Sequence, residues 1–182
     1  HVVVADRDVT AGQQLVDEIA AEGDRATFVE TDASDAPQIH RMVDRARSLG
    51  QVAILINNAG GWLSGAQFPE TSSWRRALDL NLAMPMLATQ LCLPLMAAAG
   101  GGAVVNVSSS GGWDSGAYGS PEYGAAKAGL VRFTTAVRDF APITEIAAEI
   151  DRTGQVPQKT TTTVAMDFGC ITIDEGMKLY LF

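Results

Sequence analysis

Short apolar runs alternate along this chain with longer segments in which apolar residues recur every three or four positions, and this alternation limits the possible folds more than any other feature. Strands are predicted for residues 2–5, 26–30, 52–56 and 103–107, and the first and third of them are expected to be buried. Between them, the apolar spacing is typical of helices with one face turned inward. Strands that alternate with helices predict an α/β fold with a mainly parallel sheet flanked by helices.

The helix boundaries follow from residues that favour helix ends. Thr10 and Ser34 are predicted to open the first two helices, because a hydroxyl oxygen there can accept a hydrogen bond from an amide of the first turn. Ser72 or Ser73 is predicted to begin a long helix over residues 74–99.

One part of this long helix has the composition of a membrane span. Residues 82–99 carry no charge and approach spanning length. Pro85, Gln90 and Pro94 interrupt the stretch, and its flanks lack the basic residues that anchor a span. We therefore expect a buried helix, or one that faces another subunit, and no membrane partner.

Length and composition bound the organisation of the chain. With 182 residues, of which 47% are hydrophobic, the chain can bury one core, and a second independent domain is not expected. We predict one domain over residues 1–154, with a tail of uncertain placement in the same domain over residues 155–182.

The net charge and the small number of cysteines limit which partners and which cellular compartment are expected. A net charge of -8 argues against binding to a phosphate backbone, so no nucleic-acid partner is expected. Cys92 and Cys170 have no paired spacing, and the two histidines lie in no cluster with ligand spacing, so neither a disulfide framework nor a metal site is expected. These features favour the reducing cytoplasm.

Three motifs carry the chemistry. Tyr123 and Lys127 stand four residues apart in a predicted helix, so their side chains share a face, and an ammonium near the phenol favours the phenolate. Three consecutive serines, residues 108–110, follow an apolar strand, and a serine hydroxyl there can hold a substrate oxygen. Residues 57–60 form an Asn-Asn-Ala-Gly turn after another strand.

These motifs resemble those of the short-chain dehydrogenase/reductase family, and the resemblance runs from about residue 2 to residue 141. In family order, the matching features are Asp6 at a strand end, Asp32-Ala33, the Asn57-Asn58-Ala59-Gly60 turn, Asn81, Ser109, and the Tyr123 and Lys127 pair. The resemblance implies a Rossmann-like, doubly wound sheet and an NAD(P)-dependent oxidoreductase. The family's turn of the type Thr-Gly-x-x-x-Gly-x-Gly, and the segment after its catalytic helix, have no counterpart in this sequence, so the domain is expected to be incomplete.

The resemblance implies a role for each catalytic residue. Tyr123 exchanges the hydroxyl proton of the substrate, and Lys127 assists it while holding the nicotinamide ribose. Ser109 orients the substrate oxygen, with Ser110 as a rival for this role. Asn81 holds a water molecule beside Lys127, although a structural contact of its amide with the backbone competes with that role.

The implied cofactor is NAD, with NADP less favoured. Asp6 can accept hydrogen bonds from the adenosine ribose hydroxyls and repels a 2′-phosphate, whereas Arg7 beside it could meet that phosphate. The other expected cofactor contacts are two residues beside adenine, three residues of a turn, and the catalytic pair: Asp32, Ala33, Asn57, Ala59, Gly60, Tyr123 and Lys127.

The predicted reaction is the reversible oxidation of a secondary alcohol to a ketone by a homodimer or homotetramer, without a metal. A catalytically inactive scaffold that acts through subunit contacts stays open, because the glycine-rich turn is absent from the sequence. Use of the same Tyr/Lys pair by an epimerase or dehydratase also stays open. A Ser/Lys hydrolase is less favoured, because Ser109 lacks the setting of a nucleophile elbow.

Two further expectations concern single segments. If no strand lies between those that begin at Val2 and Val52, residues 160–165 have the β-branched composition to fill that gap in the sheet. Trp62 and Trp113 follow two of the site motifs, and they either line a substrate pocket or pack within loops.

Overall fold

Strands and helices alternate over the residues that the computed structural model describes, which are 1–63, 70–112 and 120–140. The strands are β1 (Val2–Asp6), β2 (Ala26–Glu30), β3 (Ile54–Asn57) and β4 (Ala103–Asn106). The helices are α1 (Val9–Ala21), α2 (Ala36–Leu49), α3 (Thr71–Leu78), α4 (Met84–Ala98) and α5 (Pro121–Phe140). A π-helical turn (Asp79–Ala83) joins α3 to α4, and a 3₁₀ turn (Ser110–Gly112) precedes α5. The predicted α/β alternation is confirmed.

The four strands form two parallel pairs. β1 pairs with β2, which sets Val4 opposite Phe28, and β3 pairs with β4, which sets Leu55 opposite Val104. Within the described ranges, no backbone pairing joins one pair of strands to the other. Residues 160–165, which we predicted as a strand to fill this gap, lie outside the described residues, as does the predicted boundary at residue 154.

One hydrophobic core links the two pairs of strands. Its buried members come from α2, β3, α4 and β4, and they are Ile39, Val43, Leu55, Ala88, Cys92, Met96 and Val104. Because α2 follows β2 in the chain, its packing against α4 ties the first pair of strands to the second. Burial raises the pKa of the Cys92 thiol to about 11, so this thiol is protonated at neutral pH and acts as a packing group.

Two predicted helix starts are wrong. Asp8, rather than Thr10, caps α1, and its carboxylate accepts a hydrogen bond from an amide of the first turn at 3.0 Å. Asp35, rather than Ser34, caps α2 in the same way at 3.2 Å. At both ends an aspartate competes with a nearby hydroxyl. The charged carboxylate is the stronger acceptor and also favours the positive end of the helix dipole.

The long apolar helix begins at Thr71, ahead of both predicted serines, and runs through the π-helical turn to Ala98. By length and composition alone, these 28 residues could cross a membrane, and 33% of the most apolar window is buried. The inward residues of α4 belong to the core cluster that includes α2 and the strands. This packing supports the interpretation as a core helix.

Candidate active site

The ends of β3 and β4 meet the start of α5 at one edge of the sheet, which we call the catalytic edge. Asn57 ends β3 opposite Asn106 at the end of β4. The carboxyl ends of parallel strands form the edge at which open α/β folds bind ligands. Lys127 of α5 reaches this edge, and its Nζ donates a hydrogen bond to the carbonyl oxygen of Val107 at 2.8 Å.

Lys127 is almost completely buried at the catalytic edge, with 4% of its surface exposed. Burial lowers the pKa of its ammonium group from 10.5 to about 8, because the charged form loses its hydration. The group therefore still carries a positive charge at neutral pH. Its Nζ lies 5.7 Å from the centroid of the Tyr123 ring, so the two side chains share a face of α5 as their spacing predicts.

Asn81 lies in the π-helical turn and is completely buried. Its Oδ1 accepts a hydrogen bond from the amide of Gly61 at 2.9 Å, and its Nδ2 donates to the carbonyl oxygens of Gly61 and Ala77, both at 3.0 Å. These bonds hold the segment after β3 against the helix. The backbone contact that the sequence offered as one role of Asn81 is present, and its role beside Lys127 stays a prediction.

Gly60 lies between two of the predicted catalytic side chains. A Cβ atom built at this position would stand 2.7 Å from Asn81 Oδ1 and 3.1 Å from Lys127 Nζ. Only a residue without a side chain lets the Asn-Asn-Ala-Gly turn approach both groups. The sequence predicted Gly60 for a close approach to a cofactor, and the structure adds its close approach to Asn81 and Lys127.

The serine loop after β4 is held against α5. Ser108 is buried, and its Oγ donates a hydrogen bond to the carbonyl oxygen of Lys127 at 2.9 Å. Ser109 is partly buried, and its Oγ accepts from the amide two residues further on at 3.2 Å. The structure thus gives Ser108 a packing role that the sequence did not predict, and Ser109 is the next residue of the same loop. The side chain of the rival, Ser110, lies outside the described part of the chain.

A buried polar network behind the catalytic edge was not predicted. Asn57 Nδ2 donates to Asn106 Oδ1 at 2.7 Å, and Asn106 Nδ2 donates to Thr134 Oγ1 at 2.9 Å. Asn57 Nδ2 also donates to Thr89 Oγ1 at 3.2 Å. These bonds join β3 and β4 to α4 and α5, so Asn57, which we predicted as a cofactor contact, has a structural contact. One sequence signal was available, because Asn106 is a polar residue inside an apolar run.

The ends of β1 and β2 form a second edge, which we call the adenosine edge. Asp6 is exposed there, and its carboxylate accepts a hydrogen bond from the amide of Asp8 at 2.8 Å. The Asp32 carboxylate accepts from the hydroxyl and the amide of Ser34 at 2.6 and 2.8 Å. These two bonds lower the pKa of Asp32, and the positive charge of Arg7 contributes less. The structure therefore brings Asp6, Arg7 and Asp32 to one edge.

Trp62 follows the Asn-Asn-Ala-Gly turn, and its ring contacts the ring of Tyr123. The two centroids are 6.0 Å apart and the ring planes meet at 82°, which is an edge-to-face pair. Trp62 is nonetheless 61% exposed. The pair places Trp62 beside the predicted catalytic tyrosine. Trp113, for which the sequence gave the same two alternatives, lies outside the described residues.

The parallel strands, the flanking helices and the polar groups at their carboxyl ends define a Rossmann-like α/β protein, and solved structures of this class superpose on it. The family model for short chain dehydrogenases matches residues 1–166. The chain therefore belongs to the short-chain dehydrogenase family, and the resemblance drawn from the motifs is confirmed.

Two curated relatives and one solved structure illustrate the similarity. The chain is 31% identical to a trans-4-hydroxycyclohexanecarboxylate dehydrogenase of Sinomonas cyclohexanicum, over 95% of this chain and 69% of the relative. It is 34% identical to a cyclohexanol dehydrogenase of Acinetobacter sp., over 74% of this chain and 55% of the relative. The structure of a 7 alpha-hydroxysteroid dehydrogenase complexed with NADH and 7-oxo glycochenodeoxycholic acid superposes with a TM-score of 0.72 at 29% identity, covering 76% of this chain and 54% of that chain. The chain spans about half the length of most curated relatives that it matches.

Proposed function

We propose that the protein is an NAD(P)-dependent oxidoreductase that interconverts a secondary alcohol and a ketone. The observation that carries this proposal is the position of the buried Lys127, with its Nζ 5.7 Å from the Tyr123 ring, at the edge where Asn81 and Gly60 also meet. The names of several relatives support the reaction class, since cyclohexanol, 4-hydroxycyclohexanecarboxylate and a 7-hydroxysteroid are secondary alcohols on a saturated ring, whereas two other relatives are ketoacyl reductases. We extend this class, an alicyclic secondary alcohol, to the substrate of this chain.

In the proposed mechanism, Tyr123 exchanges the substrate proton. Lys127 supplies a positive charge beside Tyr123 at neutral pH, and this charge stabilises the negative charge that the Tyr123 oxygen carries while it exchanges a proton. The hydrogen bond from Lys127 to the carbonyl of Val107 keeps the ammonium in place. The Tyr123 oxygen then takes the hydroxyl proton of the alcohol while the Ser109 hydroxyl donates a hydrogen bond to the substrate oxygen. A nicotinamide cofactor, when bound, supplies the hydride acceptor.

The residues at the two edges fit the two ends of such a cofactor. Asp6 offers an exposed carboxylate to ribose hydroxyls, and its charge disfavours a 2′-phosphate, which supports a preference for NAD. Ala33 follows Asp32 at the adenosine edge, and a small side chain there leaves room for adenine. At the catalytic edge, Ala59 and Gly60 are exposed and leave the backbone open beside Lys127, where we propose that the nicotinamide ribose is held.

The test is turnover of cyclohexanol with NAD and with NADP, followed by the absorbance of the reduced nicotinamide. Tyr123→Phe is expected to lower kcat/KM by at least about 100-fold, because a general acid/base contributes that much or more. The variant keeps the aromatic ring and its pair with Trp62, so its melting temperature should match that of the wild-type protein. A wild-type protein that binds NADH but reduces no NAD(P) with any secondary alcohol would reject the proposed reaction.

A catalytically inactive scaffold is the second candidate. It is favoured by the lack of backbone pairing between β1 and β3 in the described part of the chain, because unpaired strand edges weaken the sheet beneath a cofactor site. Fluorescence titration with NADH separates the two candidates, since the scaffold gives no saturable signal. Chiral analysis of the product, together with the nicotinamide stoichiometry, separates the dehydrogenase from an epimerase or dehydratase.

We also propose a cytoplasmic homodimer or homotetramer whose single domain comprises residues 1–154 and a tail over residues 155–182. Three large apolar side chains on α3 and α4 are exposed, which supports a subunit contact on these helices: Trp74, Leu78 and Met86. Light scattering on the purified protein measures the oligomeric state.

A further inference from the structure

Trp62 is an exposed aromatic residue whose position is set by the catalytic edge. The residue before it, Gly61, is bound by Asn81 through both its amide and its carbonyl group, at 2.9 and 3.0 Å. The indole ring then pairs edge to face with Tyr123 at a centroid distance of 6.0 Å. The backbone just before Trp62 is therefore held by Asn81, and its ring lies against Tyr123.

The exposed part of Trp62 is the larger part of the residue. The residue is 61% exposed, although one edge contact with Tyr123 already favours one orientation of the indole. A ligand that covers a restrained aromatic surface gains contact area without the entropy cost of ordering the side chain. Such a surface beside the proton-exchanging residue suits the hydrocarbon part of a substrate.

We propose that Trp62 is a specificity-determining residue that binds the hydrocarbon ring of an alicyclic substrate, while Tyr123 receives the substrate oxygen. This inference rests on the proposed function, because Tyr123 is taken as the residue that meets that oxygen. A saturated ring presents a broad, rigid set of C–H groups to the indole. An open chain with the same number of carbons covers less of it and loses more conformational freedom on binding.

The kinetic test compares cyclohexanol with hexan-2-ol, two secondary alcohols with the same number of carbons. Trp62→Ala is expected to lower kcat/KM for cyclohexanol by about tenfold, mainly through KM, and to change it for hexan-2-ol by less than about twofold. Trp74→Ala, which removes another exposed tryptophan from α3, should leave the ratio of the two alcohols unchanged. Equal losses of kcat/KM for both alcohols in Trp62→Ala would overturn the inference, because a purely structural role of Trp62 would lower kcat/KM for both alcohols alike.

A binding measurement tests the inference without turnover and so separates it from the proposed reaction. Tyr123→Phe keeps the ring that restrains Trp62, and saturation-transfer NMR can measure the binding of cyclohexanone and hexan-2-one to this variant. Adding Trp62→Ala should weaken cyclohexanone binding about tenfold and leave hexan-2-one within about twofold. This result supports the inference even if the wild-type protein oxidises no alcohol. Unchanged cyclohexanone binding overturns it.

Discussion

The catalytic edge and the adenosine edge are held by different kinds of contact. At the catalytic edge, the buried side chains of Asn81 and Lys127 bond to backbone groups 20 residues away in the chain. At the adenosine edge, the carboxylates of Asp6 and Asp32 bond to groups only two residues away. Contacts between distant segments therefore hold the side chains of the first edge, whereas local turns orient the carboxylates of the second.

This difference implies that substitutions at the two edges have different consequences. A buried side chain that joins distant segments contributes to stability and to the site together, so its loss should change both. A carboxylate in an exposed local turn contributes little to the free energy of unfolding, so its loss should change ligand preference alone. The four predictions that follow test this separation.

The largest effect on stability is expected at Asn81. Asn81→Ala leaves the amide and the carbonyl of Gly61 without their partner in a partly buried site, and each such group costs about 1 to 3 kcal/mol. The free energy of unfolding, measured by urea denaturation, should fall by roughly 3 kcal/mol, and turnover should fall with it.

A surface amide on α1 provides the control. Gln13 is exposed and donates to Asp17 at 3.1 Å, so Gln13→Ala should cost less than about 0.5 kcal/mol. If Asn81→Ala lowered the free energy of unfolding as little as this control, the contacts of Asn81 with Gly61 would not stabilise the catalytic edge.

The second prediction concerns the pH dependence of stability that Lys127 causes. Its pKa is lowered from 10.5 to about 8 by burial, so between these values the unfolded state binds more protons than the folded state. The stability of the wild-type protein relative to Lys127→Met should therefore rise as the pH rises from 8 to 10.5, by up to roughly 3 kcal/mol. Thermal or urea denaturation of both proteins over this range measures the difference. A difference that stays constant or falls would contradict the buried position of the ammonium.

The third prediction concerns the space around Gly60. Gly60→Ala places a methyl group 2.7 Å from Asn81 Oδ1, which should cost about 2 kcal/mol through overpacking. In the Asn81→Ala background, Gly60→Ala should lower the free energy of unfolding by measurably less, because Asn81 Oδ1, the nearest atom, is absent. A double-mutant cycle gives this coupling energy. Additive effects would mean that Gly60 and Asn81 do not share the tight space that the distances indicate.

The features that the sequence predicted well depend on local periodicity. The four strand positions follow from short apolar runs, and the shared face of Tyr123 and Lys127 follows from the helical repeat of 3.6 residues. The motif order also identified the family. These properties require no knowledge of which distant segments meet.

The features that the sequence did not predict depend on tertiary contacts or on competition between neighbours. The bond from Asn106 to Thr134 joins a strand to a helix 28 residues away, and nothing in the composition of α5 marks Thr134 as its partner. Asp8 was missed as a helix cap because Thr10, two residues later, satisfies the same rule. No residue type marks the π-helical turn around Asn81, and its contact with Gly61 joins segments 20 residues apart.

The smallest effect on stability is expected at Asp6, and this prediction tests the other half of the comparison. Asp6→Asn keeps an oxygen that can accept the hydrogen bond from Asp8, so the free energy of unfolding should change by less than about 0.5 kcal/mol. The substitution removes the negative charge that disfavours a 2′-phosphate beside Arg7. The ratio of NADPH to NADH affinity should therefore rise by about tenfold, which corresponds to about 1.4 kcal/mol. Fluorescence titration with both nucleotides measures this ratio, and Arg7→Ala should move it in the opposite direction. Asp6→Asn keeps the local hydrogen bond, so it should lose far less free energy of unfolding than Asn81→Ala. Equal losses in the two variants would show that the two edges are held by the same kind of contact.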